Sequence, residues 1–395
     1  MPVLRRVRSV IVAVAALTAV LGGMPTGASA QAHYEGTLGP GSFYEIDVPA
    51  AWNGNLVLYA HGIVQASLPV VPPTSQDRYP VLRANLLALG FAVAASSYSS
   101  NGWALDDAVR RTHQLSGIFA SRVGRPVRTL LLGHSLGALA IVKLIELHPS
   151  QYDGALAMCG PLGGGLAELQ YAGNARVIFD YYFPGVLPGD PFNVPPGTAF
   201  LSPSDPGGPD ALFLSVAAAL GANPQAALQW AIAANLPFAN STELGNTALY
   251  VVGFLMRFTN DFIDRVNGKI PFDNHDTVYE VNATPDPATN ALLSQLLNQG
   301  VERFVADRAA LNYYNRNYLP SGQIGVPVIT LHTTRDPAIP FAHEAAFAKL
   351  VTAAGRADLL LQRPIDRWGH CAFTNGEIAA AFADLVGWVN SGIRP

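Results

Sequence analysis

The chain has 395 residues, half of them hydrophobic and only 13 % charged, with a formal net charge of −4. That is enough apolar material for one large core or two ordinary ones. The low charge content, with no long run of either sign, speaks against a nucleic-acid surface.

The first thirty residues stand apart from the rest. "MPVLRRVRSV" carries Arg5, Arg6 and Arg8 with no acid, "IVAVAALTAVLGG" is apolar, and small residues follow at Ala28 and Ala30. Together these make a secretory signal peptide over residues 1–30, with cleavage expected after Ala30. The apolar stretch is about 13 residues, short of the roughly 20 that span a bilayer, so no stable membrane anchor is expected. Taking the three arginines from the 24 basic residues leaves 21 against 28 acidic ones, about −7 for an exported, extracellular or periplasmic protein.

The mature chain then alternates. "FYEIDVP" (43–49), "NLVLYAHG" (55–62), "FAVAASSY" (91–98), "VRTLLLGH" (127–134) and "YDGALAMCG" (152–160) are short apolar runs bounded by turn residues, which predict strands. Between them, 79–90, 104–124 and 136–149 repeat their apolar residues at three and four and predict helices. Strand, helix, strand in turn implies parallel strands with crossover helices, an α/β sheet covered on both faces.

The alternation lapses after Gly160 and resumes near Val326. The intervening 161–323 opens as Gly/Pro-rich loop and carries helical stretches near 210–235, 244–267 and 287–318. This predicts a mainly helical lid inserted between a first core segment, 31–160, and a second, 324–395. Within that second segment, strands are predicted at 326–334 and 357–365 and helices at 342–355 and 376–392.

Against this frame, "LLLGHSLGALA" (130–140) places Ser135 where a very apolar strand meets a very apolar helix, the position of a nucleophile elbow. Gly133 and Gly137 flank it because such a turn leaves no room for side chains. A serine hydroxyl needs a base, and the base needs an orienting acid. Asp336, just beyond a predicted strand in "HTTRDPAIP", and His370, in "RWGHCAFT" before the last helix, supply them in the chain order Ser135, Asp336, His370. Asp366 is the alternative acid, read as a solvated carboxylate. His61, His134, His332 and His343 read as structural histidines, and His275, among carboxylates in the insert, reads as exposed loop with no convincing metal spacing.

These elements together, G-H-S-L-G at 133–137, D-x-x-I-P at 336–340, G-H at 369–370 and H-G at 61–62, resemble the α/β-hydrolase superfamily. The likeness is greatest to secreted bacterial serine esterases and lipases with a helical lid. The resemblance implies an oxyanion hole made by the backbone amides of Leu136 and Ile63. It implies no metal or organic cofactor, and as partner a small-molecule or polymeric ester substrate. A secreted amidase or aminopeptidase of the same fold is the alternative, for which Glu168, Asp180 or Glu243 would have to hold a substrate amine. Phe179, Tyr181, Tyr182 and Phe183 could line an acyl pocket or pack within the insert. Cys159 and Cys371 form a lone pair in an oxidising compartment and are expected either to bridge or to remain two buried thiols. Tannase and feruloyl-esterase relatives tie the cysteine beside the catalytic histidine to one adjoining the nucleophile. Here that position holds His134, which sets this chain apart from them.

Overall fold

The computed structural model describes residues 30–76 and 78–395. Apart from Ala30, the expected signal peptide lies outside the described residues. Eight strands form one sheet: β1 (Ala30–Thr37), β2 (Phe43–Pro49), β3 (Asn55–Ala60), β4 (Ala92–Ser96), β5 (Arg128–His134), β6 (Gly154–Met158), β7 (Val328–Arg335) and β8 (Leu360–Trp368). Their order is β1-β2-β4-β3-β5-β6-β7-β8. β2 runs antiparallel to both its neighbours, and every pairing from β4 to β8 is parallel.

The central strands carry buried, mostly apolar runs because both faces are covered. In β3, Leu56, Leu58 and Ala60 enter the core beneath helices α2 (Leu105–Arg122) and α3 (Leu136–Leu147). Val57 and Tyr59 enter the core on the opposite face, shared with α1 (Tyr79–Ala88) and α11 (Asn375–Ser391). This is the two-sided burial that removes polar alternation from parallel strands. α11 starts on a capping box, Thr374 receiving the Glu377 amide while the Glu377 carboxylate receives the Thr374 amide, which fixes where the preceding loop must end. α10 (Ala342–Ala353) links β7 to β8.

Between β6 and β7 lie six helices: α4 (Gly165–Tyr182), α5 (Ala211–Ala222), α6 (Pro224–Ala233), α7 (Ser241–Asp264), α8 (Pro287–Gly300) and α9 (Arg308–Tyr318). α4 corrects the expectation of a loop there. It is buried on several sides, so its sequence lacks a polar stripe and hides the helical period. The stretches near 210–235 and 287–318 each divide into two helices, with new N-caps at Asn223 and Asp307. Phe179 and Phe183 pack on each other, and Phe179 meets the edge of Trp230, so these two aromatics belong to the insert's own core. β1 is an addition to the predicted elements. The last strand begins at Leu360 because residues Ala357–Leu359 form a 3₁₀ turn.

Candidate active site

Backbone geometry at the end of β5 explains the sequence G-H-S-L-G. Ser135 has φ 53° and ψ −128°, left-handed for a side-chain-bearing residue, and its amide donates to the Met158 carbonyl. A Cβ on Gly133 would stand 2.4 Å from the Gly137 carbonyl oxygen, and one on Gly137 only 2.1 Å from that of Ala60. Both positions therefore require glycine, and the turn they permit holds Ser135 at the carboxyl end of the sheet, at the start of α3.

Asp336 and His370 reach the same place from two other loops. Asp336 is fully buried, and its Oδ1 accepts from the amides of Ala338 (2.8 Å) and Ile339 (2.9 Å). Its Oδ2 accepts from His370 Nδ1 at 2.8 Å, and His370 Nε2 lies 3.0 Å from Ser135 Oγ. Burial alone would raise the Asp336 carboxyl, but the charge of His370 and the hydrogen bonds from His332 and His370 outweigh it and hold the group well below the ordinary carboxylate range. The histidine's loop is pinned on both sides: the Gly369 amide donates to the Arg335 carbonyl, and the Thr333 hydroxyl donates to the Gly369 carbonyl at 2.6 Å. Cys371, next in the chain, is in a disulfide with Cys159, their Cα atoms 5.3 Å apart. Both cysteines have positive φ, 47° and 51°.

The loop after β3 presses against the serine. A Cβ on Gly62 would lie 3.1 Å from Ser135 Cβ and 3.0 Å from His134 Nε2, so the loop that carries Ile63 passes directly against the turn at this glycine. His61 in this loop stacks on Tyr98, and burial lowers it to about 4, so it stays neutral. His134 is hydrogen-bonded through Nδ1 to the Tyr59 hydroxyl at 2.7 Å, a partner outside the serine–histidine–aspartate line.

The alternative acid is excluded by position. The Asp366 side chain is 85 % exposed and pairs with Arg335, a geometry that cannot reach His370. His275 is exposed beside Asp276. Cys159, His370 and Cys371 are the described residues that cluster as closely as metal ligands, and both sulfurs are taken by the disulfide.

The insert reaches this edge of the sheet through α4 and α7. The Tyr171 hydroxyl donates to the Pro337 carbonyl at 3.0 Å, Arg335 pairs with Glu243 at 2.9 Å, and the Trp368 indole donates to the Thr247 hydroxyl at 2.7 Å. Ser135 is only 4 % exposed. Of the three acids considered for an amine site, Glu168 is buried against His343 (3.2 Å), Asp180 is paired with Arg176 and Glu243 with Arg335. On the other face, between α1 and α11, a cavity of about 380 Å³ is walled by Leu82, Leu86, Met158, Phe373 and Phe382, with Arg78 at its polar side.

Two further residues lie beside the acid: His332, read from the sequence as a structural histidine, and Glu344, which the sequence did not single out. His332 Nε2 lies 3.6 Å from Asp336 Oδ2, and its Nδ1 lies 3.1 Å from Glu344 Oε1. The spacing of four between His332 and Asp336 was legible in the sequence. Glu344, supplied by α10, was not.

Strand order, the single antiparallel strand, the glycine-flanked turn after β5 and the serine–histidine–aspartate line define the class: this is the α/β-hydrolase fold. No family model matches the chain. Its sequence is similar to the o-phthalyl amidase of Xanthobacter agilis, 24 % identical over 416 residues that cover 91 % of this chain and 88 % of that one. Among solved structures it is similar to feruloyl esterase B from Aspergillus oryzae (TM-score 0.45, 13 % identity, 92 % of this chain and 81 % of that one). It is also similar to proline iminopeptidase from Mycobacterium smegmatis (TM-score 0.45, 12 % identity, 91 % and 99 %). Among the described residues no single helix is long and apolar enough to cross a membrane.

Proposed function

We propose that this chain is an exported serine hydrolase that cleaves carboxylic esters through an acyl-enzyme. The observation that carries the reading is the continuous line Ser135 Oγ, His370 Nε2, His370 Nδ1, Asp336 Oδ2, with separations of 3.0 and 2.8 Å, on a turn that only glycine neighbours permit. His370 takes the hydroxyl proton as Ser135 Oγ bonds to the carbonyl carbon, and Asp336 offsets the imidazolium charge. The oxyanion is received by the amides of Leu136 and Ile63, each such donor contributing about 10²–10³ in turnover. His370 then returns the proton to the leaving alkoxide as the ester C–O bond breaks. Water, deprotonated by the same imidazole, releases the acid and restores Ser135.

The helical insert is the lid in this reading. Its contacts around the carboxyl ends of β7 and β8 support a role in covering the acyl-enzyme, with substrate choice set by its walls. Export is supported by the leader-like first thirty residues and by the disulfide. Amide hydrolysis is the second reading, favoured by the likeness to an o-phthalyl amidase across most of both chains. It uses the same steps, with His370 protonating a leaving amine.

A fluorophosphonate probe is the direct test. It labels the wild-type protein and not Ser135→Ala, and labelling that survives the substitution refutes the nucleophile. Graded p-nitrophenyl esters run beside matched anilides then separate the two readings.

A further inference from the structure

Asp336 presents an electrostatic problem. It is a fully buried carboxylate whose partner in the line, His370, must be neutral at rest to serve as base. An uncompensated buried charge is costly, and the simplest remedy, a proton kept on His370, would disable the base. A second histidine stands on the other side of the same carboxylate oxygen.

His332, within β7, has acceptors at both ring nitrogens. Nε2 is 2.9 Å from the Ile339 carbonyl oxygen, which can only accept, so this nitrogen carries hydrogen. Nδ1 is 3.1 Å from Glu344 Oε1, and the other oxygen of that carboxylate already accepts from the Thr330 hydroxyl and from Gln362 Nε2 (2.6 Å). Other titratable groups packed around His332 do not supply the countercharge. His343 on α10 accepts the Gly163 amide at Nδ1, so its Nε2–H is directed at Glu168, and burial lowers it to about 3. Burial likewise pushes Glu168 of α4 toward its neutral form, with the charge of Asp336 adding to the effect. What remains is two carboxylates, Asp336 and Glu344, with His332 between them and His370 beyond.

We propose that His332 is a positioning residue for the hydrolytic site: an imidazolium held between Asp336 and Glu344, it gives the buried aspartate its resting countercharge and thereby leaves His370 free to act as base. The inference rests on the serine-hydrolase reading for its consequence, and on the geometry above for the charge itself. The balance of forces agrees. Burial works to lower His332, but its hydrogen bonds to Asp336 and Glu344 and their charges raise it to about 10. The functional line is thus five residues long: Glu344, His332, Asp336, His370, Ser135.

The first test needs no activity. In ¹⁵N-histidine-labelled wild-type protein, both nitrogens of His332 remain protonated through pH 8, and Glu344→Gln moves the titration of that ring downward. A neutral His332 ring at pH 7 overturns the proposal. The second test is the pH profile of kcat/KM for a p-nitrophenyl ester in His332→Gln. Removing the imidazolium moves the acid limb up by about one pH unit, a tenfold loss below the limb that is recovered on raising the pH. A uniform loss at every pH, as a merely structural role would produce, or an unchanged profile, overturns the assignment. If wild-type protein takes no fluorophosphonate at Ser135, the serine-hydrolase reading fails by itself, and the nitrogen spectra still decide the charge of His332.

Discussion

Replacing both cysteines with alanine probes stability and catalysis through one bond. Cys159 follows β6, the strand next to the elbow, and Cys371 follows His370, and the two are 212 residues apart in sequence. In the chain-entropy account, opening a loop of that length releases about 5 kcal/mol of constraint on the unfolded chain, a ceiling that native-state relaxation lowers toward 2–4. Both residues also sit at positive φ, where a side chain costs of order 1–3 kcal/mol, and the bridge is what over-determines them. Cys159→Ala/Cys371→Ala therefore loses roughly 2–5 kcal/mol of unfolding free energy. The relaxed loop also lets His370 leave its 3.0 Å contact with Ser135. The assay is urea unfolding followed by tryptophan fluorescence, run with the second-order rate of fluorophosphonate labelling, on both proteins with and without a phosphine reductant. The expected result is a lower midpoint and slower labelling in the variant, with reductant affecting only the wild type. A variant that keeps both midpoint and labelling rate refutes the argument that the bridge holds the base.

Asp336→Asn lowers kcat by about 10⁴ while circular dichroism stays native, because the amide favours the wrong histidine tautomer, whereas Asp366→Asn leaves kcat within a few-fold. The reverse pattern assigns the acid to Asp366. Acid sensitivity follows from His61 and His343, whose folded values are depressed to about 4 and about 3 from an ordinary 6.5. The unfolded chain binds protons first, so their contribution is present above pH 6.5 and is lost as the pH falls through 6.5 toward 4. His332 has the opposite sign, its contribution being complete below 6.5 and lost only as the pH rises toward 10. The urea midpoint should therefore fall between pH 6.5 and 4.5 by the equivalent of a few kcal/mol, and a midpoint flat across that window contradicts the burial of neutral imidazoles.

The sequence by itself determined the parts of this protein that are local. Strands β2 to β7 and helices α1 to α3 were legible because parallel strands buried on both faces carry unbroken apolar runs, and half-buried helices repeat at three and four. The elbow was legible because its constraint is steric and lies within five residues: Gly133 and Gly137 are glycine for want of space. β1 was hidden, since only Ala32 and Tyr34 turn apolar side chains to the core in an otherwise polar strand, and so was α4, whose surround of neighbours erases the helical stripe. The sequence already favoured Asp336 over Asp366 from its place just beyond a strand, but only tertiary structure buries Asp336 among backbone amides and leaves Asp366 in solvent. Tertiary structure also joined Cys159 to Cys371, and it brought Glu344 from a separate helix to His332. The physical reason is the range of the forces involved. Backbone hydrogen bonding and sterics act between near neighbours and write themselves into the order of residues. Desolvation, charge pairing and disulfide closure act between groups that only the packed chain places side by side.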